Sequence, residues 1–177
     1  MGTNVIDPGT LNIALLVTRV VFGLLMAAHG AQKLLGWFGG YGLKATGEFM
    51  TSLGFRQGRA AAAAASGIEV ASGLLVAFGL LGPVGPALML SVMVVAAITV
   101  HWRNGLFAAT NGIEVTLLFG TAGFALALAG FGQYSMDAIL GFANMWSTEM
   151  RWVVLAIAVT GALANVGLSR ASRPAAK

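Results

Sequence analysis

The sequence contains no cysteine, and its 177 residues include only ten Lys or Arg and six Asp or Glu. The missing thiols exclude disulfide staples, thiolate metal sites and thiol–disulfide redox chemistry in this chain. Charged residues are 9% of the total, against about 25% in an ordinary soluble domain. Such a chain cannot clothe a surface in water. No phosphate-binding glycine loop and no nucleophile triad is present, which argues against an autonomous enzyme of the soluble kind. The formal charge of +4 is no argument for nucleic acid. What is abundant is apolar: 58% hydrophobic residues and 25 glycines, with a mean hydropathy of +0.85. The composition is that of an integral membrane protein, whose first partner is the lipid bilayer.

Crossing about 30 Å of hydrocarbon takes about 20 apolar residues. Five runs are long enough, at residues 12–35, 60–81, 84–101, 106–130 and 152–168. The first is too long for the apolar region of a signal peptide and no basic segment precedes it, so it reads as a retained span. Backbone groups in lipid must be satisfied internally, so the runs are expected to be helices. "GPVGP" (82–86) reads as a tight turn between the second and third. The expected fold is therefore all-α: a four-helix transmembrane bundle over 12–137, preceded by an extracytoplasmic segment 1–11. A loop and a fifth, C-terminal transmembrane helix follow over 138–169, and a basic cytoplasmic tail over 170–177.

Orientation follows from Lys and Arg in short loops. With five spans, Lys33, Lys44, Arg56 and Arg59, then Arg103, then Arg170, Arg173 and Lys177 all fall on one side. Asp7, Asp137, Glu149 and only Arg151 fall on the other. The expectation is a bacterial inner-membrane protein with its N-terminus outside and its C-terminus in the cytoplasm. Small residues at Gly67 and Ala71, Gly112, Gly120, Gly123, Ala158 and Ala162 suit close helix packing.

The letters GIEV occur twice, within "SGIEVASG" (66–73) and "NGIEVTLL" (111–118). Each copy follows a run that ends near a histidine, His29 or His101. The echo suggests a parallel two-helix repeat. A true repeat would put Glu69 and Glu114 at similar depth, with the helix around Glu114 starting before Asn111.

Ionisable residues inside spans are expensive and mark sites or pairs. Arg19, Met26 and Lys33 recur at heptad steps with Gly23 and Gly30 beside them and His29 at the border, so they share one buried face. Depth along the helices leads us to expect a buried ion pair between Arg19 and Glu69. At the other end His29, Gln32, Lys33, His101, Trp102, Asn111 and Glu114 are expected to converge on a polar ligand site. Snorkelling alone accounts for Lys33 and Trp102. Histidine, carboxylate and aromatic rings such as Phe22, Trp37 and Phe38 in an apolar setting suit a quinone, with imidazole donating to a carbonyl and carboxylate relaying a proton. The same groups suit a small polar solute. No HExxH or ExxH spacing exists and Lys33 opposes a cation, so no metal site is expected.

Three blocks, "HGAQKLLGWFGGYGL" (29–43), "GIEVASGLLVAFGL" (67–80) and "TVHWRNGLFAATNGIEVTLLF" (99–119), resemble the DoxX family of bacterial membrane proteins. The resemblance runs from about Leu11 to "GQYSMD" (132–137). It implies a four-helix membrane bundle associated with respiratory or redox systems. The run from Ile139 to Leu168 departs from that core and is a candidate docking helix for a partner or a sibling copy.

Three functions remain open at this level. One is a membrane subunit of an oxidoreductase complex with quinone as candidate ligand. Another is a non-catalytic anchor or assembly subunit, in complex with other subunits or as a homo-oligomer. The third is a small-solute or ion carrier with Arg19, Glu69 and Glu114 on its path.

Overall fold

The computed structural model describes residues 7–171. Among them are seven α-helices and no strand. Arg173, Lys177 and the first six residues of the expected 1–11 segment lie outside the described residues.

Helix α1 (Pro8–Leu35) begins earlier than its apolar run. Asp7 caps it, accepting from the backbone N–H of Thr10 at 2.9 Å, and Pro8 occupies a first-turn position where no N–H is needed. It ends at Gly36, whose φ of 74° lets its N–H return to Gln32 O. A 3₁₀ turn (Trp37–Gly39) leads into α2 (Gly42–Ser52), a short helix inside what reads as the first loop.

Helix α3 (Gly58–Phe78) returns antiparallel to α1. Their backbones touch through glycine. A Cβ on Gly23 would meet Gly73 O at 2.6 Å, and one on Gly30 would meet Ser66 O at 2.6 Å. The heptad face is the buried one: Met26 is fully buried, with Arg19, Gly23 and Gly30 also inside.

The turn occupies 81–83, and α4 (Val84–Ala96) begins within the expected 82–86 stretch. It continues through a π turn (Ala97–His101) and a 3₁₀ turn (Trp102–Asn104). Helix α5 (Glu114–Ala129) packs against α4 and reaches α1 through the Phe22–Phe119 ring contact. Short α6 (Met136–Ile139) precedes α7 (Thr148–Ala171). Helix α7 lies on α4 and α5 through Leu155, Ala87 and Ala127 and the Phe124–Trp152 ring pair. The main core is rich in methionine, with Met26, Met89 and Met93 around Val76, Phe119 and Leu126.

Four of the described helical stretches are long and apolar enough to cross a membrane: Pro8–Leu35, Gly58–Phe78, Val84–Asn104 and Thr148–Ser169. They are not the four of the expected core bundle. The expected span at 106–130 is reduced to the 16 residues of α5, roughly 24 Å at 1.5 Å per residue, short of the ~30 Å of hydrocarbon. Residues 105–113 instead fold back on themselves. The N–H groups of Ile113 and Glu114 bond Gly105 O and Leu106 O, and Asn111 takes a left-handed conformation. The two GIEV copies therefore sit differently. Glu69 lies in the middle of α3, whereas Glu114 opens α5 after Asn111 rather than lying inside a helix that starts before it.

Most large exposed side chains on the spans are aliphatic, such as Val17, Leu24, Leu74 and Ile157. On helices of this length that surface belongs to lipid.

Candidate functional site

The close α1–α3 contact decides which charges meet. Gly23 faces Gly73 and Gly30 faces Ser66, so Arg19 lies opposite Ala77 and Glu69 lies about two turns further along. Side chains on a helix lean toward its N-terminus. Arg19 therefore leans away from Glu69, and Lys33 leans toward it. Lys33 Nζ sits 2.5 Å from Glu69 Oε1. The expected Arg19–Glu69 pair does not form. The Arg19 guanidinium instead donates to Ala77 O at the end of α3 and to Tyr134 O in the loop after α5.

Glu69 is 1% exposed and Lys33 37%. The carboxylate is thus inside the bundle while the ammonium approaches it from the edge. Glu69 Oε2 is buried and accepts no hydrogen bond among the described residues. A buried acceptor without a donor is costly. It is also available, either to a proton or to a donor group of a ligand.

His29 stands one turn before Lys33. Its Nδ1 lies 3.2 Å from Gln32 Oε1, and in the neutral tautomer that donates there, Nε2 is left as an acceptor. The imidazole packs against Phe119 with ring centroids 5.5 Å apart. Gln32 Nε2 in turn donates to Phe38 O at 3.2 Å. Phe38 has φ 52°, a left-handed conformation uncommon for an aromatic residue. So the glycine–aromatic break after α1 is tied back to the His29 turn. Thr46 of α2 ties it again, donating to Lys33 O.

The remaining expected site residues do not join this group. His101 Nδ1 is 2.8 Å from Asn111 O, which also accepts from Asn104 Nδ2. Glu114 Oε2 accepts from the N–H of Ala108 at 2.7 Å. Trp102 is exposed. These residues brace the 101–114 segment. No hydrogen bond or ion pair connects them to His29, Lys33 or Glu69 among the described residues. The convergence expected from seven residues is therefore local to His29, Gln32 and Lys33 on α1, with Glu69 from α3.

At the opposite end, sequence reasoning missed three fixtures. Asp137 accepts from the N–H groups of Leu81 and Gly82, at 2.9 and 2.6 Å. Arg151 donates to Ala127 O, Leu128 O and Trp146 O. Asn12 Oδ1 accepts from Gln133 N at 2.9 Å. For Asp137 and Arg151 the available signal was the rarity of charge: in so apolar a chain each charged residue near a helix end is a candidate for capping a turn.

No curated protein and no solved structure matches the chain. The DoxX family model matches residues 14–102, half of the sequence. The matched part holds α1 to α4 with the Lys33–Glu69 pair, while α5 and α7 lie beyond it. On that match, and with helices that place it in the bilayer, this chain belongs to the DoxX family of membrane proteins.

Proposed function

We propose that this DoxX-family protein is a membrane subunit of a redox assembly, with a proton- and ligand-handling site at Glu69, Lys33 and His29. The observation that carries this reading is the unpartnered, buried Oε2 of Glu69 beside Lys33. A carboxylate with one cationic neighbour and one open acceptor suits reversible proton transfer. Lys33 is the donor available nearby, His29 offers Nε2 as an acceptor, and the rings of Phe22 and Phe119 are the aromatic surface. That set suits a quinone/quinol head group, with a carbonyl held by Lys33, a hydroxyl donating to His29 and a proton passing by way of Glu69. The electrons in this reading come from a partner subunit.

The basic residues Lys33, Lys44, Arg56, Arg59 and Arg103 support a cytoplasmic placement of their end of the bundle in a bacterial inner membrane. The absence of cysteine makes a direct test simple. Lys44→Cys and Glu149→Cys, both at exposed positions, are labelled in whole cells with a membrane-impermeant maleimide. Glu149→Cys is expected to react at once and Lys44→Cys only after permeabilisation; the reverse pattern inverts the topology.

The decisive test of function is extraction at native expression level in a mild detergent, with mass spectrometry of the proteins and quinones that co-migrate. A redox enzyme and quinone are expected with wild type, and Glu69→Gln is expected to lose the quinone while keeping the enzyme. A homo-oligomer carrying neither would refute the reading.

A second reading, a non-catalytic anchor, is favoured by α7. This helix lies outside the family match, yet Arg151 fixes its start, and Val153, Ile157, Leu163 and Leu168 form an outward apolar surface. On this reading Ile157→Gly with Leu168→Gly releases the partner, whereas Glu69→Gln has no effect on the complex or its activity.

A further inference from the structure

A cleft of about 860 Å³ opens between the C-terminal end of α2 and the π turn that finishes α4. Its volume is in the range of small-molecule sites, about 300–1,000 Å³. None of the Lys33–Glu69 site residues lines it. Its two walls differ in chemistry. On one side Thr51 and Ser52 end α2. Their hydroxyl protons are already committed to Gly47 O and Phe49 O, so their oxygens offer only lone pairs. The carboxyl end of a helix adds partial negative charge. This wall accepts hydrogen bonds and favours a cation. On the other side Arg103 has no hydrogen-bond or ion-pair partner among the described residues, and it lines the same cleft beside exposed Trp102. That wall donates and favours an anion.

Between the two walls, Ile98 and Val100 come from the π turn. Such turns concentrate at functional positions because they re-aim side chains. The cleft thus has an acceptor wall, a cationic donor wall and an apolar floor that belongs to a membrane-spanning helical stretch.

We infer that this cleft binds one phospholipid with a phosphoethanolamine head group. The phosphate sits on Arg103, the primary ammonium at the Thr51–Ser52 end of α2, and the glycerol and first methylenes against Ile98 and Val100. The anionic phosphatidylglycerol brings neutral hydroxyl donors to the acceptor wall but no cation to meet its partial negative charge. A quaternary ammonium leaves it without N–H donors. The apolar floor and the ends of membrane-spanning helices favour the lipid over the free head group.

The test is native mass spectrometry of the full chain in a neutral detergent, titrated with phosphatidylethanolamine, phosphatidylcholine and phosphatidylglycerol of matched acyl chains. Phosphatidylethanolamine is expected to be retained about five-fold more tightly than either, the effect of about one charge interaction at a lipid surface. Arg103→Gln should remove its binding by a similar factor, and Ser52→Ala should narrow the preference over phosphatidylcholine. Arg56→Gln, an exposed basic residue that does not line the cleft, should change nothing. Each variant elutes as wild type on size exclusion before it is titrated. Equal or tighter phosphatidylglycerol binding, an Arg56→Gln loss equal to that of Arg103→Gln, or an unaffected Arg103→Gln variant would overturn the site. Displacement of the lipid by equimolar soluble phosphoethanolamine would overturn the lipid assignment in favour of a soluble zwitterion.

Discussion

The two ends of this bundle use their few charges in opposite ways. At the end where α1 begins, Arg19, Asp137 and Arg151 each bond backbone groups of other segments. They hold the 130–147 connection against the ends of α3 and α5. At the other end Lys33 and Glu69 bond each other, and one carboxylate oxygen is left over. A charge that satisfies backbone is architecture, since its removal orphans carbonyl or amide groups that have no other partner in an apolar setting. A charge that faces another charge is replaceable as a pair, and its retention needs another reason.

The largest expected effect belongs to the first end. Arg19→Met leaves Ala77 O and Tyr134 O without their donor. At roughly 1–3 kcal/mol per orphaned buried group, a loss of about 3 kcal/mol is expected, read as a clear fall in the thermal midpoint in detergent. A midpoint within two degrees of wild type would dissolve the distinction between the ends.

Asp137→Ala comes next. It removes the acceptor for two N–H groups in the turn between α3 and α4, at a cost of about 2 kcal/mol. Leu81 and Gly82 amides should then exchange with deuterium faster, and exchange as slow as in wild type would count against the capping role.

The double variant Lys33→Met with Glu69→Leu should lie within about 1 kcal/mol of wild type, because apolar replacement of a buried pair is often neutral or stabilising. Thermal melts in the same detergent measure it; a loss as large as that of Arg19→Met would make this pair structural as well. The smallest expected change in stability is that of Glu69→Gln, which keeps size and a hydrogen-bonding oxygen. Its unfolding midpoint should barely move, while quinone retention or the proton-coupled activity of the native complex falls at least ten-fold. Unchanged activity would place the chemistry elsewhere.

Much of the fold was legible because lipid simplifies the problem. Runs near 20 apolar residues had to be helices, and those at 12–35, 60–81, 84–101 and 152–168 appear as long helical stretches with shifted ends. The shifts have local causes. Asp7 and Pro8 supply a cap outside the apolar run, and Gly79 with φ 67° stops α3 early. The run at 106–130 misled because Leu106 and Phe107 are apolar yet lie in a capped loop; hydropathy cannot see that Asn111 and Glu114 bond their own segment. Helix α2 escaped notice because its 11 residues carry too little apolar length to register as a span.

The site was half legible. His29, Gln32 and Lys33 fall on adjacent turns of one helix, so their proximity follows from sequence spacing alone. Which carboxylate joins them does not. Depth along separate helices points to Arg19 for Glu69, and depth does not give the register in which those helices touch or the lean of their side chains.

By itself the sequence determined that this is an all-helical membrane protein without thiol chemistry and that it carries the DoxX pattern over residues 14–102. Composition and 20-residue periodicity are properties of letters in order. Tertiary structure alone decided that Glu69 meets Lys33, that Arg19 serves the backbone, and that α5 starts only at Glu114. The two pairings hang on the register of α1 against α3, set where Gly23 meets Gly73 and Gly30 meets Ser66: Arg19 and Lys33 lie about four turns apart on α1, so one register brings only one of them to Glu69.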